Sequence, residues 1–390
     1  MGRLYRPALW GPLSCIRLAE VPVPRLLGDD WVRVRVRYGG ICGSDMNIIT
    51  LHDSPSTAPF ASFPFTFGHE NVGIIDEAGP GVSGFEPGQR VVVDPVLSCE
   101  VRGFREPCSA CRRGDLSQCQ RFREGRLAPG FITGTCRDTG GSWSPYLLAH
   151  RSQLIPVPDS VSDEAAVMIE PFACALHPVL RYPPGDEQTV LVLGSGVVGL
   201  LVVAALRAIG SRCRIVAVAR YDFQAEMARK LGADEVVTSR GKELYKELSQ
   251  RFDTRLVQPP MGKPLLEGGA DTVFECVGRD DALDDALRLA GKGARVVLLG
   301  LASLPRGVDW TPIWMKELRV IGSFLSGGQP LDGKVVRTSQ LAMDLAAQGK
   351  VDLSPLVTHR FRLEEYPQAF AAILARGREK VIKAVFDLNP

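Results

Sequence analysis

The hydrophobic positions change their period along the chain. Up to about residue 150, short runs such as WVRVRVRYGG, NVGIIDEAG and QRVVVDPV are rich in Val and Ile and bounded by Gly, Pro, Asp or Asn. In the first run Arg33, Arg35 and Arg37 alternate with valines, the pattern of a strand with one buried and one solvated face. This part of the chain predicts an all-β, barrel-like unit. After LIPVPDS the texture changes. Ser162 can cap a helix running through DEAAVMIEPFACALHPVL, with Asp163 and Glu164 favourable in its first turn.

From about residue 188, apolar strands alternate with helices. TVLVLGSG reads as a strand ending in glycines, VVGLLVVAALRAIG as a helix closed by Gly210, RIVAVAR as a second strand and FQAEMARKLGA as a second helix. DTVFECVG, ARVVLLG and LRVIGSF are further strands, with DDALDDALRLA a helix between the first two. Continuous apolar strands of this kind predict a parallel sheet covered by helices on both faces. From about Gly327 to Pro390 the pattern closes with an amphipathic helix, LEEYPQAFAAILARG, and a strand, VIKAVFDL. There is no internal repeat or low-complexity stretch.

Composition narrows this picture. A chain of 390 residues exceeds what one core usually serves, so two domains are expected. Lys+Arg 46 nearly cancels Asp+Glu 44, and no basic tract stands alone, which argues against a nucleic-acid partner. The longest apolar run, around Val197 to Leu206, follows a glycine loop and is too short to span a bilayer. The N-terminus is broken by Pro7, Gly11 and Pro12, so no targeting segment or membrane partner is expected, and a cytoplasmic location is. Four of the ten cysteines crowd between Cys99 and Cys119; without a secretory signal this reads as metal binding rather than disulfides.

Gly194, Ser195, Gly196, Val197, Val198 and Gly199 form a GxGxxG run after the strand TVLVL and before a helix, the context that makes it a dinucleotide site. The first glycine permits the tight turn, the second lets the backbone approach the pyrophosphate, and the third lets helix and strand pack closely. Cofactor choice turns on the end of the second strand. An acidic residue there would bond the ribose 2′-OH of NAD, but RIVAVARYD offers Ala219, then Arg220 and Tyr221. Arg220 could pair with a 2′-phosphate or stack on adenine, so NADP is favoured over NAD; Asp222, three residues late, is the counter-argument.

GGICGSD at 39–45 and GHE at 68–70, with the cysteine cluster and the glycine loop, resemble the zinc-containing medium-chain dehydrogenases of the alcohol, sorbitol and threonine dehydrogenase type. The resemblance spans nearly the whole chain. It implies an α/β protein: a GroES-like, β-rich catalytic domain (residues 1–172, completed by 325–390) and a doubly wound Rossmann cofactor domain (173–324), with the active site in the cleft. A catalytic zinc wants about three N, S or O ligands and one open position. Cys42 and His69 match the family's first two ligands, and Glu170 of the Glu170-Pro171 pair matches the third; Cys174, one helical turn on, competes for that place. Glu70 is implied as a fourth, exchangeable ligand or as an orienting group. Asp45 is expected to accept the other N–H of His69. Singly, each has an ordinary structural reading, Cys42 as a small buried hydrophobe and Glu170 as a first-turn helix charge; the combination is what points to zinc.

The resemblance also assigns Ser44 the hydroxyl that takes the alcohol proton. The relay histidine beyond it is replaced by Asn47, which cannot act as a base, so the proton is left to water, ribose hydroxyls or His52. Cys108, Cys111 and Cys119 match three ligands of the family's structural zinc lobe. The expected first position is Arg105; Cys99 is read as that ligand, with residues 100–105 inserted after it, since a few extra loop residues cost little. Cys15, Cys136, Cys213 and Cys276 lack ligand spacing. Lys383 matches a tail position that often holds a basic residue on the cofactor diphosphate, with a solvated strand lysine as the alternative. LRVIGSF is where relatives pair cofactor domains, implying a homodimer or homotetramer.

The implied activity is hydride transfer between NAD(P) and a secondary alcohol, polyol or sugar, or the matching ketone or aldehyde. The Glu-Pro pair leans toward polyols, sugars and secondary alcohols, while HDSPSTAPFASFPFTF, expected along the substrate cleft, suggests a partly apolar pocket. The rivals are a zinc-free quinone or enoyl reductase on the same fold, and a non-catalytic binding protein. The first predicts neither GHE nor a cysteine lobe, and the second predicts loss of Cys42, Glu170 or the glycines.

Overall fold

The computed structural model describes residues 9–11, 14, 16–331 and 334–389. Cys15 lies outside the described residues. The chain divides into two compact units, residues 1–173 with 325–390, and residues 174–324. Among the described residues no helix is long and apolar enough to cross a membrane.

In the first unit, strand Trp31–Gly40 is the organising element. It pairs antiparallel with Asn71–Ala78 on one side; on the other, Tyr146–His150 covers its first half and Lys383–Asp387 its last residues. The sheet runs on through Arg90–Val93 to Leu154–Pro156, and through Lys383–Asp387 to Val357–Phe361. The Val/Arg alternation acts as expected. Val32, Val34 and Val36 are buried with Ile75, Val91, Leu147 and Leu154, while Arg33 turns outward to Asp76 and Glu77. Burial of this kind contributes about 1.5–3 kcal/mol per fully enclosed aliphatic side chain.

The helix expected to run unbroken from Ser162 is two helices, Asp163–Ala166 and Ile169–Arg181. Ser162 Oγ accepts the N–H of Ala165, capping the first. Pro171 supplies the break, because it has no N–H for a continuous helix and its ring would collide with the carbonyl of Val167. Glu170 consequently stands in the first turn of a fresh helix.

The second unit holds a six-stranded, wholly parallel sheet in the order Arg319–Gly322, Ala290–Leu298, Ala270–Glu275, Thr189–Leu193, Arg214–Val218, Glu235–Val237. This is the doubly wound order 3-2-1-4-5-6 with the first strand, Thr189–Leu193, at the centre. Helices Val197–Ala208, Asp222–Lys230 and Asp280–Leu289 follow the strands that the alternation predicts. A helix, Lys242–Arg251, and a short hairpin, Leu256–Val257 with Leu265–Leu266, are additions that the periodicity did not bring out.

Candidate active site

Cys42 ends the first strand's extension and caps helix Gly43–Ile49 from an extended backbone. Asp45, buried in that helix's first turn, folds back on the chain. One of its oxygens accepts the Cys42 N–H at 2.9 Å, and the other lies 3.5 Å from Nδ1 of His69. Burial opposes a charge on His69, but the Asp45 carboxylate, with help from Cys42, holds its pKa well above the ordinary imidazole value. A proton and a metal ion would therefore compete for this ring.

Cys42, His69 and Glu70 bring their ligand atoms within 4.8 Å of one another. Oε1 of Glu70 accepts a hydrogen bond from Nζ of Lys383 at 2.5 Å, the ammonium also touches Oε2, and both side chains are 1% exposed. The lysine thus pairs with both oxygens of the carboxylate in a buried ion pair. Sulfur, imidazole nitrogen and carboxylate oxygen are also the donors zinc takes. The residues fit zinc. Glu170 is buried, and its charge acts on Lys383 together with those of Glu70 and Cys42. Cys174, half-buried, is the first residue of the second unit.

Lys383 is not the solvated strand lysine that was the alternative to a place on the cofactor diphosphate. Its ammonium is enclosed in the first unit against Glu70, a consequence of strand register that local sequence does not reveal. Ser44 is half-buried in the first turn of the Cys42 helix, and Asn47 stands one turn further on. His52 is exposed, with Nδ1 2.9 Å from Thr50 Oγ1.

In the second unit the glycine loop joins strand Thr189–Leu193 to helix Val197–Ala208. Gly194 adopts φ +98°, which side chains rarely tolerate, and a Cβ on Gly199 would strike the Gly194 carbonyl. Gly196 is the N-cap, followed by Val197 and Val198 in the first turn. The Ser195 hydroxyl donates inward to the Val218 carbonyl at 3.1 Å, so this side chain fastens the loop to the neighbouring strand and leaves phosphate contact to backbone N–H groups.

At the end of strand Arg214–Val218, Ala219 is buried and Arg220 exposed. The Arg220 guanidinium lies 5.6 Å over the Tyr221 ring, which in turn stacks on Phe223. Arg240 escaped the sequence reading. Its Nη2 donates to the Arg220 carbonyl at 2.7 Å, bringing a second guanidinium to the same strand end. Only the parallel pairing of Val218 with Val237 shows this neighbourhood. Glu275 was also missed. Its buried carboxylate accepts the N–H groups of Val277 and Gly278, each at 2.8 Å, and pins the turn after the strand beside Leu193. Burial pushes its pKa up, against those hydrogen bonds.

The sulfurs of Cys99, Cys108, Cys111 and Cys119 also lie within 4.8 Å of one another. The Gln120 N–H donates to Cys108 Sγ at 3.5 Å and the Arg121 N–H to Cys119 Sγ at 3.4 Å, which favours thiolates. A hydrogen bond from Cys111, then that of Arg121, carries the Cys119 pKa down to about 5 against burial. Between the first two cysteines sits Arg102, wholly buried. Its Nε donates to Leu97, Nη1 to Glu124 and Leu127, and Nη2 to Ala128 and Gly130, all to backbone carbonyls. All five guanidinium N–H groups are thereby used. Cys136 and Cys213 are buried, and Cys276 is half-buried.

Both units of the chain match known proteins. Residues 28–159 match the alcohol dehydrogenase GroES-like domain, and residues 197–343 match the zinc-binding dehydrogenase domain. The chain is 32% identical to L-idonate 5-dehydrogenase of Vitis vinifera over 93% of its own length and 89% of the relative's. A zinc-binding dehydrogenase from Sinorhizobium meliloti 1021, solved bound to NADP, superposes with a TM-score of 0.71 at 28% identity, covering 94% of each chain. An alcohol dehydrogenase from Escherichia coli CFT073, complexed with NADH, gives a TM-score of 0.73 at 26% identity, covering 95% of this chain and 94% of the other.

Fold and site together define a zinc-dependent dehydrogenase that uses a nicotinamide cofactor. The chain belongs to the zinc-containing medium-chain dehydrogenase/reductase family, in its alcohol, sorbitol and threonine dehydrogenase-like branches. It is an oxidoreductase that transfers a hydride between a secondary alcohol, polyol or sugar, or the matching carbonyl compound, and NAD(P).

Proposed function

We propose that Cys42, His69 and Glu170 hold the catalytic zinc, with Glu70 as an adjoining carboxylate, and that Cys99, Cys108, Cys111 and Cys119 hold a structural zinc. The observation that carries this reading is the meeting of the ligand atoms of Cys42, His69 and Glu70 within 4.8 Å, a sulfur, nitrogen and oxygen donor set of the kind zinc takes. Zinc bound there supplies a Lewis acid that makes the alcohol more acidic, and the nicotinamide supplies the hydride acceptor.

The remaining work falls to this chain's own groups. Asp45 orients the imidazole of His69. Ser44 accepts the alcohol proton through its hydroxyl. Asn47 cannot pass it on as a base, so the proton leaves through water, ribose hydroxyls or the exposed His52, which is hydrogen-bonded to Thr50. In the second unit the N–H groups at the start of helix Val197–Ala208 bind the pyrophosphate. Arg220 and Arg240 supply two cations for a 2′-phosphate where an acidic residue would select NAD. The cofactor is therefore NADP in preference to NAD.

The substrate is a polyol, sugar derivative or secondary alcohol. The relative that acts on L-idonate supports the hydroxylated class, and the phenylalanines of residues 60–67 support a partly apolar pocket. The chain works as a homodimer or homotetramer. A panel of secondary alcohols, polyols and aldoses, assayed with NAD and with NADP, tests the activity, and metal analysis tests the sites. About two zinc per chain is the expected content. A protein that retains no zinc, or that turns over every substrate faster with NAD, overturns the corresponding part.

A further inference from the structure

The first unit holds a second concave site, a cavity of about 630 Å³ whose lining includes no residue of the candidate metal centre. Its volume falls within the roughly 300–1,000 Å³ that small-molecule sites occupy. One wall is the segment leading into strand Trp31–Gly40. Another is residues 100–105, which stand between the first two lobe cysteines. Trp31, Val101, Leu127 and His150 line the interior and are each more than nine-tenths buried.

The wall at 100–105 is held rigidly. Arg102 is not part of the lining; its guanidinium donates to the carbonyls of Leu97, Glu124, Leu127, Ala128 and Gly130. One buried side chain thereby fixes both the 100–105 segment and the one that carries Arg126. The Arg126 N–H donates to the Arg102 carbonyl at 3.1 Å. Gly103, at φ +78°, leaves space for the Arg126 stem, since a Cβ there would lie 2.9 Å from its Cδ.

The polar groups are placed with equal definition. The Ser152 N–H donates to Nδ1 of His150 at 3.2 Å, and a backbone N–H can only donate. The proton of the neutral ring therefore sits on Nε2. Burial pushes the His150 pKa below the ordinary imidazole value and keeps the ring neutral. Nε2 has no acceptor among the described residues, yet it is not one of the polar atoms sealed inside the chain, so its N–H is left to the cavity. Glu100 and Asp30 are the carboxylates whose charge reaches this ring. Asp30 is paired with Arg151 at 3.1 Å, and Asp138 accepts the Ala128 N–H at 2.6 Å. Among the described residues Glu100 and Asp29 have no cation, and Arg105 and Arg126 have no carboxylate.

Two free carboxylates and two free guanidinium groups leave the cavity balanced in charge. An anion entering it meets Glu100, and a cation meets Arg105 and Arg126. A hydroxyl meets neither difficulty, because it donates to a carboxylate and accepts from a guanidinium or from the His150 N–H. The indole of Trp31 and the side chains of Val101 and Leu127 offer an apolar surface for C–H groups. We infer that this cavity binds a neutral sugar, with vicinal hydroxyls on the planar charged side chains and a ring face on the apolar floor. It is a site separate from the one that performs hydride transfer.

The test is isothermal titration of the whole protein, without nicotinamide cofactor, using D-glucose, D-galactose and D-mannose at millimolar concentration. At least one of the three binds at one molecule per chain. Glu100→Gln and Arg126→Ala, both at exposed positions, each weaken it about tenfold or more. The same molecule still binds Cys42→Ala protein, or Cys42→Ser if the alanine variant does not fold, which places it away from the metal centre. Binding of none of the three sugars overturns the inference. So does tighter binding of D-gluconate or of the zwitterion glycine than of every sugar. Binding that is lost in the Cys42 variants but unchanged in Glu100→Gln and Arg126→Ala belongs to the metal centre and overturns it as well.

Discussion

Asp45 lies with one carboxylate oxygen 3.5 Å from Nδ1 of His69 and the other 2.9 Å from the backbone nitrogen of Cys42. One short helical turn therefore fixes both a thiol and an imidazole. An orienting carboxylate of this kind makes the ring a better ligand and sets which nitrogen faces the metal. Asp45→Asn can keep the bond to the Cys42 N–H but loses the charge. Zinc affinity at this site should fall about 10–100-fold, measured by chelator competition, with the far-ultraviolet circular dichroism unchanged. Unaltered zinc retention would show that the contact does not orient a ligand.

Arg102 holds the backbone around the cysteine lobe through five carbonyls. Arg102→Met strands these buried acceptors and should destabilise the protein by about 3 kcal/mol or more. Lysine has only three donors on one nitrogen, so Arg102→Lys should recover a minor part. Denaturant midpoints read the stability. Zinc release from the lobe should begin at a lower chelator concentration than in wild type.

The Arg240 guanidinium donates to the backbone carbonyl of Arg220, whose own guanidinium lies over the Tyr221 ring. Losing a charge-assisted hydrogen bond to a phosphate costs about 1.5–3 kcal/mol, roughly ten- to a hundredfold in binding. Arg240→Gln should weaken 2′,5′-ADP by about that factor and leave 5′-AMP untouched. Arg220→Asp should go further and turn the kcat/KM preference toward NAD. Equal loss of both nucleotides in Arg240→Gln would assign the arginine to the fold.

Lys316 is buried in the second unit, with Nζ donating to the carbonyls of Arg288 at 3.0 Å and Ala290 at 2.7 Å. It faces no carboxylate there. Burial, reinforced by Lys292 and Arg288, lowers its pKa from 10.5 to about 8. The folded protein thus binds this proton more weakly than the unfolded chain. The contribution is fully present above pH 10.5 and is lost as pH falls from there toward about 8. The difference in denaturation midpoint between wild type and Lys316→Met should change across that window and be flat below it. A difference independent of pH would contradict the depressed value.

Much of this protein follows from local pattern. The Val/Arg alternation of strand Trp31–Gly40 puts the valines inside whatever the partner strand is, because side chains of an extended chain alternate faces. The loop from Gly194 to Gly199 identifies itself because its requirement is steric and confined to six residues. Cys42 and Asp45 share one helical turn, and the four lobe cysteines lie within a stretch of 21 residues. Pro171 was in plain view too, and its lack of an N–H is enough to divide the helix that periodicity ran together.

What tertiary structure alone decided is which charges share a low-dielectric interior. Lys383 and Glu70 are 313 residues apart, and nothing local pairs them until two registers and the missing Cβ of Gly40 bring them together. Arg240 reaches Arg220 through the neighbouring parallel strand, and Arg102 finds its five carbonyls only once the lobe has folded back on itself. Conformational preference is a property of a few consecutive residues and is written in them. The partner of a buried charge is chosen by the whole chain, because the cost of leaving it unpaired arises only when folding removes water.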